Sequence, residues 1–282
     1  MSSRRDFLKS TAVAVATLVT SAGRARAGDM PGITDTEIKI GQTMPYSGPL
    51  SAYGVIGKTE LAYFKMINEA GGINGRKINL ISVDDGYSPP KTVEQIRRLV
   101  EQEKVAFIFN SLGTPPNTAI QPYLNENKIP QLFVATGAAM WGDPQHFPWT
   151  MGWQPNYQTE AAIFAKHILA TKPDAMIGVL FQNDGFGKDY LIGLKAGLGA
   201  DHVRMVIKEV SYETSEPTVE SEVVTLQGSG VDTLLTRIMQ RVDDCAADSG
   251  VFGKNRWISP AFGHTRFSPV FCQSLGRRRF AG

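Results

Sequence analysis

Short runs of β-branched and apolar residues alternate with longer amphipathic segments from Glu37 onwards. Apolar residues at every third or fourth position indicate helices, and alternation or short apolar runs indicate strands. On this basis we predict strands over 37–44, 77–84, 106–109 and 131–134, and helices over 56–70, 89–100 and 117–127. Strand–helix repetition of this kind is typical of a parallel sheet with helices on both faces.

The alternation of predicted strands and helices is interrupted between 144 and 155 and then resumes. The second part is predicted to contain helices over 159–169, 186–198 and 219–227, and strands over 176–182, 203–210 and 232–236. We therefore expect two α/β lobes, spanning residues 28–153 and 154–236. Two such lobes joined by short crossings suit a cleft that closes on a ligand.

The last part of the chain, 237–282, shows neither the alternation of apolar residues that indicates a strand nor the three- to four-residue spacing that indicates a helix. Both cysteines, Cys245 and Cys272, lie in it, and its arginines far outnumber its lysines. We expect that the native reading frame is lost after Thr236, which would make this an aberrant tail and leave the second lobe incomplete. The alternative is a genuine irregular extension.

The N-terminus has the order of features of a cleavable export signal. Arg4 and Arg5 precede an uncharged stretch over 10–23, too short to span a bilayer as a stable helix, and small residues then surround Ala27. The arginine pair resembles the twin-arginine address that a transport receptor reads. We expect a signal peptide over 1–27 and a periplasmic mature protein; the alternative is a frayed basic helix in a cytosolic protein.

Composition and charge argue against several classes of function. The 282 residues are 42% hydrophobic, which is enough for a buried core, and the formal net charge of +2 includes arginines of the predicted signal. A nearly neutral mature chain argues against nucleic acid as a partner, because a phosphate backbone attracts concentrated basic charge. No later stretch of the sequence is long and apolar enough to cross a membrane.

Motifs of catalytic chemistry are absent from the sequence. It contains no G-x-S-x-G elbow, phosphate-loop lysine motif or H-E-x-x-H. Four histidines are scattered without metal-ligand spacing: His146, His167, His202 and His264. Asp84-Asp85 suggests a metal site, but adjacent carboxylates at a strand end more often cap loops and helices. We therefore expect a protein that is not an enzyme and uses neither a cofactor nor a metal.

Seven segments carry a family resemblance through their order and spacing. They lie at 44–48, 52–54, 67–76, 84–85, 122–125, 147–150 and 182–190. With them, the chain up to about Thr236 resembles the periplasmic solute-binding proteins of branched-chain-amino-acid-type ABC transporters, the leucine/isoleucine/valine-binding kind. Members of that family continue well beyond this length and return to the first lobe before they end, whereas the tail from Arg237 matches nothing in their pattern.

The resemblance implies a type I periplasmic binding protein fold and a function in transport. It implies a monomer that captures a small carboxylate-bearing ligand and delivers it to an inner-membrane ABC permease. The family's acidic partner for a ligand's ammonium group comes from later in the second lobe, so an amino acid and an aromatic or aliphatic carboxylate both stay open as ligands. The alternative function is a periplasmic ligand-sensing domain that feeds a signalling partner.

The position of the ligand follows from the predicted sheet. In open α/β sheets, ligands bind at the carboxyl ends of the strands, where helix N-termini and their free N–H groups favour a carboxylate. Two of the predicted strand-end loops, 111–116 and 135–139, are rich in small and hydroxyl-bearing residues. Ser111 and Thr114 can place hydroxyl and N–H groups against a carboxylate. Such loops are also ordinary helix caps.

The resemblance adds individual residues to this cleft. The first-lobe positions that match the family's cleft lining are Tyr53, Gly113, Thr114, Ala138 and Ala139. Phe186 matches a second-lobe aromatic residue that covers the ligand. We also expect Tyr157, just after the crossing, and Trp141, just after a pocket loop, to face the cleft. Trp149 and Trp153 are expected in hinge or core packing.

Replacing both Arg4 and Arg5 with lysine is expected to stop export, because the twin-arginine receptor reads the paired guanidinium groups. Cell fractionation followed by immunoblotting measures the periplasmic share of the protein. Unchanged export of the lysine variant through the twin-arginine route would contradict the assignment. Export through the general secretory route would leave the periplasmic location intact.

Overall fold

The computed structural model describes residues 30–216, 218–237 and 256–258. The predicted signal peptide over 1–27 lies outside the described residues. So do both cysteines, His264 and most of the tail in which a lost reading frame is expected. No helix in the described ranges is long and apolar enough to cross a membrane.

The first sheet has five parallel strands. They are β1 (Glu37–Met44), β2 (Lys77–Asp84), β3 (Ile108–Phe109), β4 (Gln131–Val134) and β5 (Thr150–Gly152), in the order β2-β1-β3-β4-β5. Its helices are α1 (Val55–Glu69), α2 (Pro89–Glu101) and α3 (Thr114–Glu126). Leu99 of α2 and Leu124 of α3 share a buried cluster with Ile108, while Gly57 of α1 lies against Met44 on the opposite face. The prediction of helices on both faces is confirmed.

Three features of this lobe differ from the prediction by more than a one-residue shift. The strand predicted over 106–109 is limited to β3, and α3 begins three residues before the predicted start, because Pro115 and Pro116 fit the first turn of a helix. The segment predicted to interrupt the rhythm contains β5, which pairs with β4 at the edge of the sheet. Strand β5 has only three residues, which are too few to show an alternation of apolar and polar positions in the sequence.

An aromatic chain extends from α1 across the sheet beside it. The ring centroids of Tyr63 and Phe64 lie 6.1 Å apart, those of Phe64 and Phe109 5.6 Å, and those of Phe109 and Phe133 5.9 Å. All three pairs meet edge to face, the arrangement that aromatic quadrupoles favour. Phe133 in β4 and Met151 in the edge strand β5 are nevertheless exposed to 38% and 42%. The face of the sheet that α1 covers is therefore more exposed to solvent near β5.

The second sheet has four parallel strands in the order β7-β6-β8-β9. They are β6 (Ile177–Gln182), β7 (Val206–Tyr212), β8 (Thr233–Arg237) and β9 (Arg256–Ile258), with helices α4 (Tyr157–Thr171), α5 (Gly185–His202) and α6 (Glu220–Gln227). Strand β6 lies at the centre, and its side chains are buried on both faces, where the apolar run predicted a strand. The three residues of β9 lie within the tail, 237–282, and pair with β8, while the expected loss of the reading frame in that tail stays a prediction.

Glycines let α4 and α5 approach each other closely. A β-carbon on Gly193 would lie 2.2 Å from the carbonyl oxygen of Gln158, and one on Gly197 would lie 2.7 Å from the Cα of Ala162. Any larger side chain at either position would push the helices apart. The close approach fixes the start of α5 relative to the start of α4, and both helix starts lie near the first sheet.

The carboxylate of Asp84 organises the loops at the end of β2. It accepts hydrogen bonds from the backbone N–H groups of Tyr46, Ser47 and Gly86, from the Ser47 hydroxyl at 2.6 Å and from Lys91 Nζ at 2.8 Å. Partial burial acts to raise the pKa of Asp84, but the hydrogen bonds from Lys91, Ser47 and Gly86 outweigh it and hold that pKa well below its ordinary range. The charged form is therefore the one that stabilises these loops.

Asp84→Asn is expected to lower the free energy of unfolding at pH 7 by about 1–3 kcal/mol, because charge-assisted hydrogen bonds become neutral or are lost. Since folding depresses this pKa, the stabilisation is present above the unfolded-state value near pH 4 and disappears as the pH falls through the folded-state value. Urea denaturation of both proteins across this range measures the difference. The exposed Asp35→Asn is the control, and a wild-type advantage that grows below pH 4 would contradict the prediction.

Candidate functional site

The carboxyl ends of the first sheet's strands face the start of α5 in the second lobe. A β-carbon on Gly185 would lie 3.3 Å from Cγ2 of Thr114, and Met140 lies near the same point. The loops after β3 and β4 therefore form one wall of an interlobe contact, and the first turns of α5 form the other. This is the edge of the sheet where the sequence predicted the ligand.

Two buried hydroxyl groups meet on the first-lobe wall. Thr114 Oγ1 and Thr136 Oγ1 are 2.6 Å apart, in the loops after β3 and β4. Ser111 is buried beside them, and its Oγ accepts the backbone N–H of Thr43 at 3.0 Å. Asn117 fixes the loop after β3, because its Nδ2 donates to the carbonyl oxygens of Ser111 and Gly113, both at 2.8 Å. The hydroxyl pair is thus held in a defined place.

Three backbone N–H groups in these loops already have acceptors within the protein. Gly113 N donates to the Ala135 carbonyl at 3.3 Å, and Ala138 N donates to Thr136 Oγ1 at 3.3 Å. Ala139 N donates to a carboxylate oxygen of Asp189 at 2.6 Å. The prolines in the first turn of α3 have no N–H to offer. The N–H groups of Gly113, Ala138 and Ala139 are therefore already used within the protein, and contact of these three residues with a ligand stays a prediction.

Tyr87 is a cleft residue that sequence reasoning missed. It follows β2 with a positive φ of 61°, which is uncommon for a residue other than glycine. Its ring packs against Gly113, where a β-carbon would lie 2.3 Å from the ring, and its hydroxyl lies 3.5 Å from Gln182 Nε2 in the second lobe. Burial raises the pKa of the Tyr87 phenol well above its ordinary value, so the hydroxyl keeps its proton.

Gln182 joins several polar groups at the end of β6. Its Nε2 donates to Asp184 at 2.6 Å, and its Oε1 accepts the Tyr212 hydroxyl at 2.9 Å. Burial raises the pKa of Asp184, and hydrogen bonds from Gly187 N and Gln182 partly offset that rise. Asp184 is also the N-cap of α5, because its side chain accepts the N–H of Gly187. These contacts make the second-lobe wall polar at its base.

Aromatic rings form the rest of the second-lobe wall. The Tyr157 ring lies 5.0 Å from Phe186 and 5.1 Å from Tyr190, measured between centroids. Tyr157 N donates to the carbonyl oxygen of Gly137, which ties this cluster to the loop after β4. Tyr157 and Phe186, both predicted for the cleft, are therefore brought together. Phe186 is buried and also contributes to the second lobe's core.

The remaining predicted aromatic residues are placed differently. Tyr53 is half-buried and packs on the cluster that contains Tyr87. Trp141 is buried with Ala138, and its Nε1 has no hydrogen-bond partner in the described part of the chain. Trp149 and Trp153, expected in hinge or core packing, are exposed to 38% and 62%, so they are not in the core, and a role at the hinge stays a prediction. Both lie beside the crossing, where side chains reach solvent.

The Asp84-Asp85 pair caps loops. Asp85 is fully buried and accepts hydrogen bonds from Tyr87 N and Thr92 Oγ1, both at 2.9 Å, while Asp84 binds the neighbouring loop. Burial raises the pKa of Asp85, and these hydrogen bonds partly offset that rise. Within the described ranges, no group of three or more histidine, cysteine or acidic side chains could hold a metal ion.

Sequence reasoning missed the cleft residues Tyr87, Gln182, Asp184 and Asp189. Two of them left a signal. Gln182 is a polar residue at the end of an apolar strand, and Asp184 precedes the glycine that begins a helix, as capping residues do. Nothing local marks Tyr87 or Asp189, because their partners are distant in the chain.

Comparison with known proteins places this arrangement in a family. A family model described as periplasmic binding protein matches residues 37–241. The Leu/Ile/Val-binding protein homolog 3 of Brucella melitensis is 25% identical over 183 residues, which cover 64% of this chain and 48% of that protein. The chain spans about half the length of the curated relatives it matches, and these are named as binding proteins.

Two solved structures share the fold. A solute-binding protein of an ABC transporter from Rhodopseudomonas palustris, in complex with 3,4-dihydroxybenzoic acid, has a TM-score of 0.61 at 17% identity, covering 72% of this chain and 54% of that one. The branched-chain amino acid transporter substrate-binding protein LivJ of Streptococcus pneumoniae, in complex with isoleucine, has a TM-score of 0.58 at 18% identity, covering 71% and 57%. The two parallel sheets have the type I periplasmic binding protein fold, and the chain belongs to the periplasmic binding protein family.

Proposed function

We propose that this protein is the exported substrate-binding component of an ABC importer. It captures a small carboxylate-bearing solute between its lobes in the periplasm and delivers it to an inner-membrane permease. The observation that carries this proposal is the pairing of Thr114 and Thr136 hydroxyl groups on one wall with the Tyr157–Phe186 aromatic cluster on the other. A polar anchor opposite an apolar cover suits a small amphipathic ligand.

The chemistry of the two walls defines the ligand class. Hydroxyl groups donate hydrogen bonds to a carboxylate without adding a competing charge, and aromatic rings bury an aliphatic or aromatic body. The two solved relatives hold isoleucine and 3,4-dihydroxybenzoic acid, which share a carboxylate and an apolar body. Branched-chain amino acids and benzoate-like acids are therefore the ligands that we expect.

Closure of the lobes supplies the signal that a permease can read. Hinge closure around a ligand is the established behaviour of periplasmic binding proteins. A ligand shifts the equilibrium only through its higher affinity for the closed state, so it must contact both walls. Thr114 and Phe186 lie on opposite walls, and the crossing over 152–156 joins the lobes. Binding and closure are thus one event in this proposal.

Thr114→Ala is expected to weaken carboxylate binding by about 1–3 kcal/mol, roughly fivefold to 150-fold, because it removes a buried hydroxyl and leaves Thr136 without its partner. A thermal-shift screen of amino acids and aromatic acids on the mature chain identifies the ligand, and calorimetry then compares the variants. Thr171→Ala is the matched control, since its exposed hydroxyl bonds only within α4. Equal affinity of wild type and Thr114→Ala, or a screen without any carboxylate ligand, would contradict the proposal.

Phe186→Leu is expected to lower affinity and to reduce the decrease in radius of gyration that the ligand causes, since it removes the ring that meets Tyr157. Small-angle scattering with and without ligand measures this compaction. Phe64→Leu is the control, because that ring packs on Phe109 in the first lobe. The same compaction in Phe186→Leu as in wild type would show that this ring does not cover the ligand.

A further inference from the structure

Two residues other than glycine adopt a left-handed backbone conformation just before the first-lobe wall. Asn110 follows β3 with a φ of 47°, and Phe133 lies within β4 with a φ of 56°. Asparagine tolerates this conformation, whereas a bulky aromatic residue adopts it only where the surrounding structure imposes it. The loops that carry the hydroxyl groups of Thr114 and Thr136 follow within a few residues. Unfavourable backbone therefore coincides with the entry to both loops.

The two left-handed residues lie opposite each other in neighbouring strands. Ile108 pairs with Gln131 before them and Leu112 bridges to Ala135 after them, so an offset of 23 residues holds on both sides. Both strands therefore bend at the same level and stay paired beyond the bend. Strand β5 has no matching bend, and its pairing with β4 shifts register around Phe133. Residues 110 and 133 together form what we call the paired kink.

Asn110 binds the peptide groups on both sides of the Phe133 Cα. Its Nδ2 donates to the carbonyl oxygen of Phe133 at 2.6 Å, and its backbone N donates to the carbonyl oxygen of Leu132 at 2.9 Å. The carbonyl oxygen of Asn110 in turn accepts Nε2 of Gln42, a fully buried residue of β1, at 3.3 Å. Since both flanking peptide groups are held, the φ and ψ of Phe133 are fixed from β3.

The paired kink determines where the two hydroxyl groups point. Directly beyond it, Ala135 N donates to the carbonyl oxygen of Ser111 at 3.0 Å, so the two loops leave the sheet side by side. The buried Oγ1 atoms of Thr114 and Thr136 then meet at 2.6 Å. Side chains alternate between the two faces of a strand, so an extended residue in place of Phe133 would redirect those that follow it. The hydroxyl pair therefore depends on the kink.

We propose that Asn110 is a positioning residue for ligand binding. It holds Phe133 in the left-handed conformation and thereby brings the Thr136 hydroxyl against that of Thr114. This inference rests on the proposed function, which assigns the hydroxyl pair to the carboxylate of the ligand. Asn110 acts on binding through the backbone of β4, at the last point where β3 and β4 can be set relative to each other before the loops begin.

Phe133→Gly and Phe133→Val separate the backbone conformation from the packing of the ring. Both remove the ring, but glycine adopts a positive φ readily and β-branched valine strongly disfavours it. With isoleucine and 3,4-dihydroxybenzoate as probes in calorimetry, Phe133→Gly should keep affinity within about twofold, and Phe133→Val should weaken it about fivefold or more. A role in packing alone predicts the reverse order, because valine keeps more apolar contact with Phe109.

Asn110→Gly removes the amide and still permits a positive φ at residue 110. It is expected to weaken binding of the same probes about fivefold or more, because the kink at Phe133 loses its donor. In nuclear magnetic resonance spectra, the Cα and Cβ shifts of residue 133 should move towards extended values. Asn127→Gly is the matched control, since it removes an amide bond to the Tyr123 carbonyl at the exposed end of α3 and should change neither quantity. If Asn110→Gly fails to fold, the two Phe133 variants decide the outcome.

Binding by Phe133→Val as tight as that by Phe133→Gly would overturn the proposal, and so would left-handed shifts of residue 133 that persist in Asn110→Gly. The spectra need no ligand, so the two proposals can fail separately. If neither acid binds the wild type, the proposed function is contradicted, and the shifts of Phe133 and Thr136 in Asn110→Gly still decide whether Asn110 sets the hydroxyl pair.

Discussion

Loss of water from polar groups is the constraint that organises the contact between the two lobes. Where the lobes meet, Gln182, Thr114 and Asp189 are buried, and a buried polar group without a partner costs about 1–3 kcal/mol. Each of them has its hydrogen bond, and the Asp189 bond crosses between lobes. Shape alone would allow the lobes to slide, whereas these directional bonds select one arrangement.

The same constraint explains which group is available for a ligand. The backbone N–H groups of Gly113, Ala138 and Ala139 have acceptors in the protein, and the two prolines at the start of α3 remove donors that a helix N-terminus usually offers. Hydroxyl groups differ, because a hydroxyl can rotate from a protein partner to a ligand. Thr114 and Thr136 are the adaptable donors of this wall.

Much of the fold was predictable because its signals are local. The boundaries of β1, β2 and β4 match their predicted ranges, since these strands are apolar runs between clear turn residues. Strands β5 and β9 were missed because three residues show no period. The site divides in the same way: the hydroxyl loops follow from the strand ends, whereas Tyr87 and Asp189 acquire their roles from partners far along the chain.

The glycines between α4 and α5 give this geometry an unusual sensitivity. Gly193 and Gly197 pack against α4, a helix of the same lobe. A methyl group at either position would widen the helix spacing and draw Gln158 away from Asp189. Sequence drift at two sites inside one lobe would then alter the angle between both lobes. The evolution of affinity in this protein is therefore open to changes that no inspection of the binding pocket would reveal.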